Sequence, residues 1–355
     1  MADIAISLPA DAYLHVGAPR EWWWHIGTLR AGERIFGFEI NAAGFAVPEG
    51  PVAAACFSQV MLSDPANEKH YKKTAPYDFD PAWAESDPSR PWHAKMGDPA
   101  SNDWVSMRSL EDIWTLDVQA SFTDDPTGTV VVFNLRMMQD GPPLYVWGTG
   151  EAKNVDPSGK TPLERNNYYY SFTNLQVEGT VQIGDETIAV TGVTWMDHQY
   201  GAFGAGTRWI LQDAQLSNGV CLSNSGVGDF TLAPGVPTPT YATILEDGIS
   251  TLVWPTSATP TEPWPSGGTT YYLNWTVDIP NRGSLQVNAL MADQLFPGSD
   301  RPVYEGAASV TGTFDGDHVT GTAWIEQALA PLSGPAGRRR GRGHRATLGS
   351  AQSAS

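Results

Sequence analysis

At 355 residues the chain is long enough to bury two separate cores, and its formal charge of −18 argues against nucleic acid or an anionic membrane surface as a partner. Its 36 glycines, 27 prolines and recurrent β-branched and aromatic runs describe an all-β protein with many turns, and no window sustains helical periodicity over three turns. No 18-residue apolar run is present and the start, M-A-D-I-A-I-S-L-P-A-D, lacks the pattern of a signal peptide, so no membrane span and a cytoplasmic location are expected.

Residues 1–20 read as a lead-in to a first domain over 21–203. Strand-like runs W-W-W-H-I-G-T-L and R-I-F-G-F-E-I-N meet at an A-G-E turn and predict a hairpin. Residues 64–103, rich in Asp, Pro, Lys and Trp, lack alternation and are expected to form an irregular insertion across a pocket mouth. Alternation returns at 114–122 and 129–137, and again from the Tyr-Tyr-Tyr run at 168–170 to the strand ending at His198. G-A-F-G-A-G at 201–206 reads as a linker, since it has neither the spacing nor the Lys-Ser/Thr of a phosphate loop. A second domain is expected over 204–333. Beyond it, 334–355 form a basic tail with five Arg and no acid, of disordered composition; without those five charges the body stands at −23. Cys56 and Cys221 fall in different halves and are expected to be buried free thiols.

Two internal echoes shape the functional reading. V-T-G-V-T-W-M-D-H at 190–198 returns as V-T-G-T-A-W-I-E-Q at 319–327, so a Trp-x-acid strand recurs 129 residues on. Trp22, Leu29 and Gly32 recur as Trp209, Leu216 and Gly219 at an offset of 187. A duplicated β-domain is the simplest account, each copy opening on a Trp strand and closing on a Trp-x-acid strand.

Strand alternation puts Trp195 and Asp197 on one face and His198 on the other. A carboxyl lodged against an indole in a dry cavity has a raised pKa and can give up a proton near neutrality. The plain alternative is an Asp that caps a turn or pairs with an Arg. Tyr168 and Tyr170 share a face, and they serve either as an aromatic core or as phenols and rings that stabilise a developing cation. Trp22 and Trp24 share a face with Ile26, opposite Glu21, Trp23 and His25. Glu326 beside Trp324 is the second-copy acid, with a structural or pocket-lining role. The chain has no G-x-S-x-G, no H-E-x-x-H and no dinucleotide fingerprint, and its seven His are scattered, so neither a cofactor nor a metal is expected.

E-W-W-W-H-I-G-T-L, Y-Y-Y-S-F-T-N-L-Q-V-E-G-T-V, V-T-G-V-T-W-M-D-H-Q-Y-G, Y-E-G-A-A and G-T-A-W-I-E-Q, in this order over residues 20–330, resemble the AttH-like family. That family includes carotenoid 1,2-hydratases, kievitone hydratase and the lipocalin-like Diels–Alderases. The resemblance implies two tandem lipocalin-like antiparallel β-barrel or sandwich domains with a hydrophobic pocket. In the hydratase branch it implies an acid at Asp197 that protonates an alkene, with an aromatic at Trp195 and Tyr168 and Tyr170 at the upstream aromatic or His positions.

The reading that follows is a cofactor-independent enzyme acting on a small hydrophobic, unsaturated biosynthetic intermediate. A cyclase comes first, a hydratase second, and a carrier of an apolar ligand is the non-enzymatic alternative. Asp197, Trp195, Tyr170 and Tyr168 form the expected catalytic set. Trp24, Trp22, His198, Glu326 and Trp324 form the expected binding set.

Overall fold

The computed structural model of the protein describes residues 3–46, 54–203, 207–297 and 301–330. The linker residues 204–206 and the basic tail lie outside them. The alternating runs pair into two large antiparallel sheets in tandem, beside a small hairpin of Pro263–Ser266 and Thr269–Tyr272. In the first, Arg20–Ala31 is flanked on one side by Arg34–Ala46, Ala54–Asp64 and Lys69–Tyr77. On its other side come Glu186–Gly201, Asn167–Ile183, Val130–Gln139, Thr115–Thr123, Trp104–Ser109 and His93–Gly97. The second sheet closes on itself. Val303–Phe314 pairs both with Gly283–Ala289 and with Asp317–Ala328, and the ring returns through Trp209–Leu216, Cys221–Val227, Thr238–Glu246, Ile249–Pro260 and Asn274–Ile279. Closure leaves that barrel without a free edge. Among the described residues, helix is limited to the single turn Pro162–Arg165, capped by Thr161, and three short 3-10 turns. No helix among the described residues is long and apolar enough to cross a membrane.

Each strand has two destinations for its side chains. On Arg20–Ala31, Trp23 joins the core of the first barrel, while Ile26 and Trp24 join an apolar layer between the two sheets. That layer draws Met61, Leu144, Val146 and Trp195 from the first half and Cys221, Leu245, Phe296, Ala307 and Trp324 from the second. Its two buried indoles each remove on the order of 5 kcal/mol worth of apolar surface from water. Close approach is built in at Gly37, where a Cβ would stand 2.6 Å from Ala307 Cβ of the other half. Gln215 straps the halves together, its Nε2 donating to the carbonyls of Thr173 at 2.7 Å and Thr194 at 3.0 Å. The backbone N–H groups of Tyr145 and Trp147 donate to Ser250 and Thr243 hydroxyls across the same junction.

Two expectations change here. The described part of the lead-in is integral to the first barrel: Ile6, Ala12 and Tyr13 are buried in its core, and Leu14 N–H donates to the Glu85 carbonyl. The 64–103 segment also turns inward. Its Trp83 and Trp92 pack on Trp23 at centroid distances of 5.5 and 5.4 Å, so its tryptophans fill the barrel interior. Burial of indole outweighed the polar composition that suggested a surface loop. Cys56 and Cys221 are buried and free.

Candidate active site

Asp197 lies on the face of the first sheet that meets the second, directly across from Trp24 on one neighbour strand and Ser171 on the other. It is 7% exposed. Its Oδ1 accepts the Ser171 hydroxyl at 2.6 Å and the Trp195 indole N–H at 2.7 Å. The Trp-x-Asp spacing makes the second bond: residues two apart on a strand share a face, so the indole N–H reaches its own strand's carboxyl. Burial pushes the Asp197 carboxyl up to about 6, opposed by hydrogen bonds from Ser171, Trp195 and Tyr169 that favour the anion.

The second half repeats the motif in the same place. Trp324 and Glu326 share the interface face of Asp317–Ala328, with Asp213 and Leu211 across from them on one side and Ala307 and Glu305 on the other. Here the indoles are dealt differently. Trp209 Nε1 donates to Glu326 Oε1, and Trp324 Nε1 donates at 2.8 Å to Glu305 Oε2. The two Trp-x-acid faces turn toward each other, and five carboxyl groups meet between the sheets: Glu39 and Asp197 from the first half, Asp213, Glu305 and Glu326 from the second.

This concentration of acid in a dry layer raises every member. Burial pushes Glu326 to about 7; the Trp209 indole opposes the rise and the Asp197 charge adds to it. Burial and the Glu326 charge hold Glu39 well above the ordinary carboxyl range. Burial and the Asp197 charge do the same for Asp213, whose two oxygens have no hydrogen-bond partner of good geometry, Ser223 being the nearest donor. Glu305 is raised by burial and by Glu326. Sequence reasoning singled out only two of these five. Glu305 stood inside the quoted Y-E-G-A-A run, and Asp213 inside the repeat that begins at Trp209.

Aromatic side chains rim the cluster at one end. Trp22, Trp24, Tyr169, Trp147 and Trp209 are half-buried. Trp22 meets Trp24 edge-on at 5.5 Å, Tyr169 meets Trp147 edge-on at 6.1 Å, and the Arg301 guanidinium lies 4.5 Å over Trp209. At the opposite end of the interface a cleft of about 1240 Å³ is lined by Arg30, Met138, Val193, Gln215 and Thr322 among others. Asp197 does not line it. Trp195 and Trp324 lie on the intervening rows, so the interface runs from an open cleft through an apolar septum to the acids and then to the aromatic rim.

The expected site residues therefore divide. Asp197, Trp195, Trp24, Trp22, Glu326 and Trp324 come together on the interface. Tyr168, Tyr170 and His198 lie on the opposite face, in the first barrel. Tyr169 is the tyrosine that reaches Asp197. A β-bulge at Thr173 and Asn174, between paired Phe172 and Leu175, inverts the alternation and turns Tyr170 inward. His198, 0% exposed, stacks on Trp23; the Glu21 carboxylate accepts from its Nε2 at 2.9 Å, which leaves Nδ1 to accept the Tyr170 hydroxyl at 3.2 Å.

Glu21 also holds His15 at 2.9 Å, so His15, Glu21 and His198 offer ligand atoms within 4.8 Å of one another, a grouping the scattered sequence positions did not suggest. Their mutual hydrogen bonds account for it as a buried ion-pair network. Burial disfavours the His15 cation, yet Asp11 and Glu21 together lift it to about 9.

A family model described as AttH-like matches residues 1–328. The crystal structure of an AttH from Nitrosomonas europaea superposes with a TM-score of 0.72 at 23% identity, over 92% of this chain and 99% of that one. Kievitone hydratase from Nectria haematococca superposes with a TM-score of 0.68 at 15% identity, over 92% of this chain and 93% of its own. Among curated proteins, none matches this sequence.

Proposed function

The chain belongs to the AttH-like family, and from that premise we propose that it is an acid-catalysing enzyme of the hydratase type, adding water across an alkene of a hydrophobic metabolite. One observation carries the reading: a buried carboxyl, Asp197, is fixed by an indole N–H and a hydroxyl, poised near neutrality, and set behind an aromatic rim. Asp197 delivers its proton to one alkene carbon. The π pair becomes the new C–H bond, the neighbouring carbon becomes cationic, and water closes on it, losing a proton to a carboxylate of the cluster. The rings of Trp24 and Tyr169 stand beside the acid and can meet such a cation with their π density.

The sequence alone ranked a cyclase first; the acids at the interface reverse that order. A shape-driven cyclisation draws on proximity and needs no proton, whereas buried carboxyls held above their ordinary range suit proton transfer. Likeness to kievitone hydratase agrees with the choice and makes kievitone the first probe. The experiment compares wild type with Asp197→Asn on kievitone and a panel of other prenylated phenols, with product detected as a mass gain of one water. The variant is expected to lose about 10²–10⁴-fold in rate. An unimpaired variant removes Asp197 from the chemistry. Tight ligand retention with no product from wild type identifies a carrier instead.

A further inference from the structure

The second half of the site differs from the first in one respect that has chemical weight. Where Ser171 stands opposite Asp197, Glu305 stands opposite Glu326. Two carboxyls directly across from each other on adjacent strands, in a layer without bulk water, do not both ionise; they hold one proton between them. Their outer ends are fixed by indoles, Trp324 on Glu305 and Trp209 on Glu326. Glu305 is 2% exposed, while Glu326 is half-buried and is the more accessible of the two. Facing Glu326 are Asp197, Glu39 and Tyr169 from the first half and Asp213, Glu305 and Arg301 from the second.

We propose that Glu305 and Glu326 form a singly protonated carboxyl pair in which Glu326 is the ionised member and takes the proton from the attacking water. The proposal rests on the hydration reading and gives it a second catalytic residue, supplied by the other half of the molecule. Glu305 is the positioning residue: its O–H donates to Glu326 and fixes which carboxyl carries the charge. The bond from Glu305 lowers Glu326 against the rise that burial and the Asp197 charge impose, and it adds to the rise of Glu305. In the step, the Asp197 O–H bond breaks as the alkene C–H bond forms, the water C–O bond forms, and a water O–H bond breaks toward Glu326. One proton leaves Asp197 and one arrives at the pair. Return of a proton from Glu326 to Asp197 restores the site. The two groups stand on opposite walls of one interface and interact electrostatically.

The test uses the full chain, kievitone and the same prenylated phenols, with two readouts. Infrared difference spectra at neutral pH are expected to show a protonated carboxyl band that is lost in both Glu305→Gln and Glu326→Gln and kept in Asp197→Asn. In the rate profile, Glu326→Gln is expected to lose about 10²–10⁴-fold and the acid-side limb. Glu326→Asp retains that limb at reduced rate. Glu305→Ala shifts the limb upward, and Glu305→Gln, whose amide N–H still donates to Glu326, restores its position; a merely structural role for Glu305 would leave the limb in place. If Glu326→Gln keeps the wild-type rate and both limbs while Asp197→Asn is dead, the pair is overturned and the hydration reading stands. If wild type yields no hydrated product, the hydration reading fails and the acceptor role with it.

Discussion

Ser171 and Glu305 occupy the same station in the two halves, each directly across a strand pair from the carboxyl of a Trp-x-acid motif. In the first half the partner is a hydroxyl that donates to Asp197 at 2.6 Å. In the second it is another acid. One barrel therefore steadies a single carboxyl and the other couples two.

Ser171→Ala removes a donor that favours the Asp197 anion, so the Asp197 carboxyl rises further and stays protonated to higher pH. The alkaline fall in rate is expected to move upward, with the acid-side limb unchanged. A pH–rate profile on the hydration probe checks this, and an unmoved alkaline limb would detach Asp197 from the proton-donating step.

Stability is expected to fall as pH rises across neutrality. A carboxyl whose pKa is raised on folding binds more protons folded than unfolded, so its ionisation costs stability across the interval between the two values. For Asp197 the interval runs from 3.8 to about 6, and for Glu326 from 4.5 to about 7. His15, lifted from 6.5 to about 9, adds stability that is complete below the lower value and gone above the upper. Glu21, held down by His15 and His198 against its burial, works in the opposite sense only at the acid end. Burial lowers His25 and His70 to about 3, so they oppose the fall up to pH 6.5; calorimetric Tm should decline from about pH 6.5 to about pH 8, less steeply in Glu326→Gln.

His198→Gln separates structure from chemistry. Gln327 holds the equivalent place in the second half and donates to the Tyr272 carbonyl at 2.8 Å, so glutamine suits a strand interior of this kind. In the first half it forfeits the stacking on Trp23 and the Glu21 bond, at a cost of about 1–3 kcal/mol. Tm should drop while the rate on the probe stays within a few-fold of wild type. A large rate loss at unchanged Tm would reassign His198 to the reaction.

Gly37→Ala places a methyl 2.6 Å from Ala307 Cβ and forces the halves apart. A loss of about 1–3 kcal/mol is expected from overpacking. The double variant Gly37→Ala with Ala307→Gly should recover most of it. A non-additive cycle of that sign, measured by denaturant unfolding, locates the strain between the two sheets.

The second-half pairing was open to reading from the chain. Asp315-Gly316 is a two-residue turn between Phe314 and Asp317, and counting back from it sets Glu305 against Glu326. The same count from the Gly184-Asp185 turn fails in the first half, because the bulge at Thr173 and Asn174 takes up one residue. That one extra residue sent Tyr168 and Tyr170 into the barrel and left Tyr169 and Ser171 at the acid. The meeting of the two Trp-x-acid faces was hidden for a different reason. The repeat shows that two surfaces are alike, and pairing between sheets depends on long-range packing that no local pattern encodes. The same-face pairing of Trp195 with Asp197 and the opposed face of His198 were legible, since alternation alone decides them.

Glu39 and Asp197 belong to one half, Asp213, Glu305 and Glu326 to the other, and it is the contact between the halves that dries them all. A barrel of this kind standing alone would bathe its Trp-x-acid strand in water, and the acid would titrate as any surface carboxyl does. The raised carboxyl is thus a possession of neither half alone: it exists only where the two outer faces close on each other.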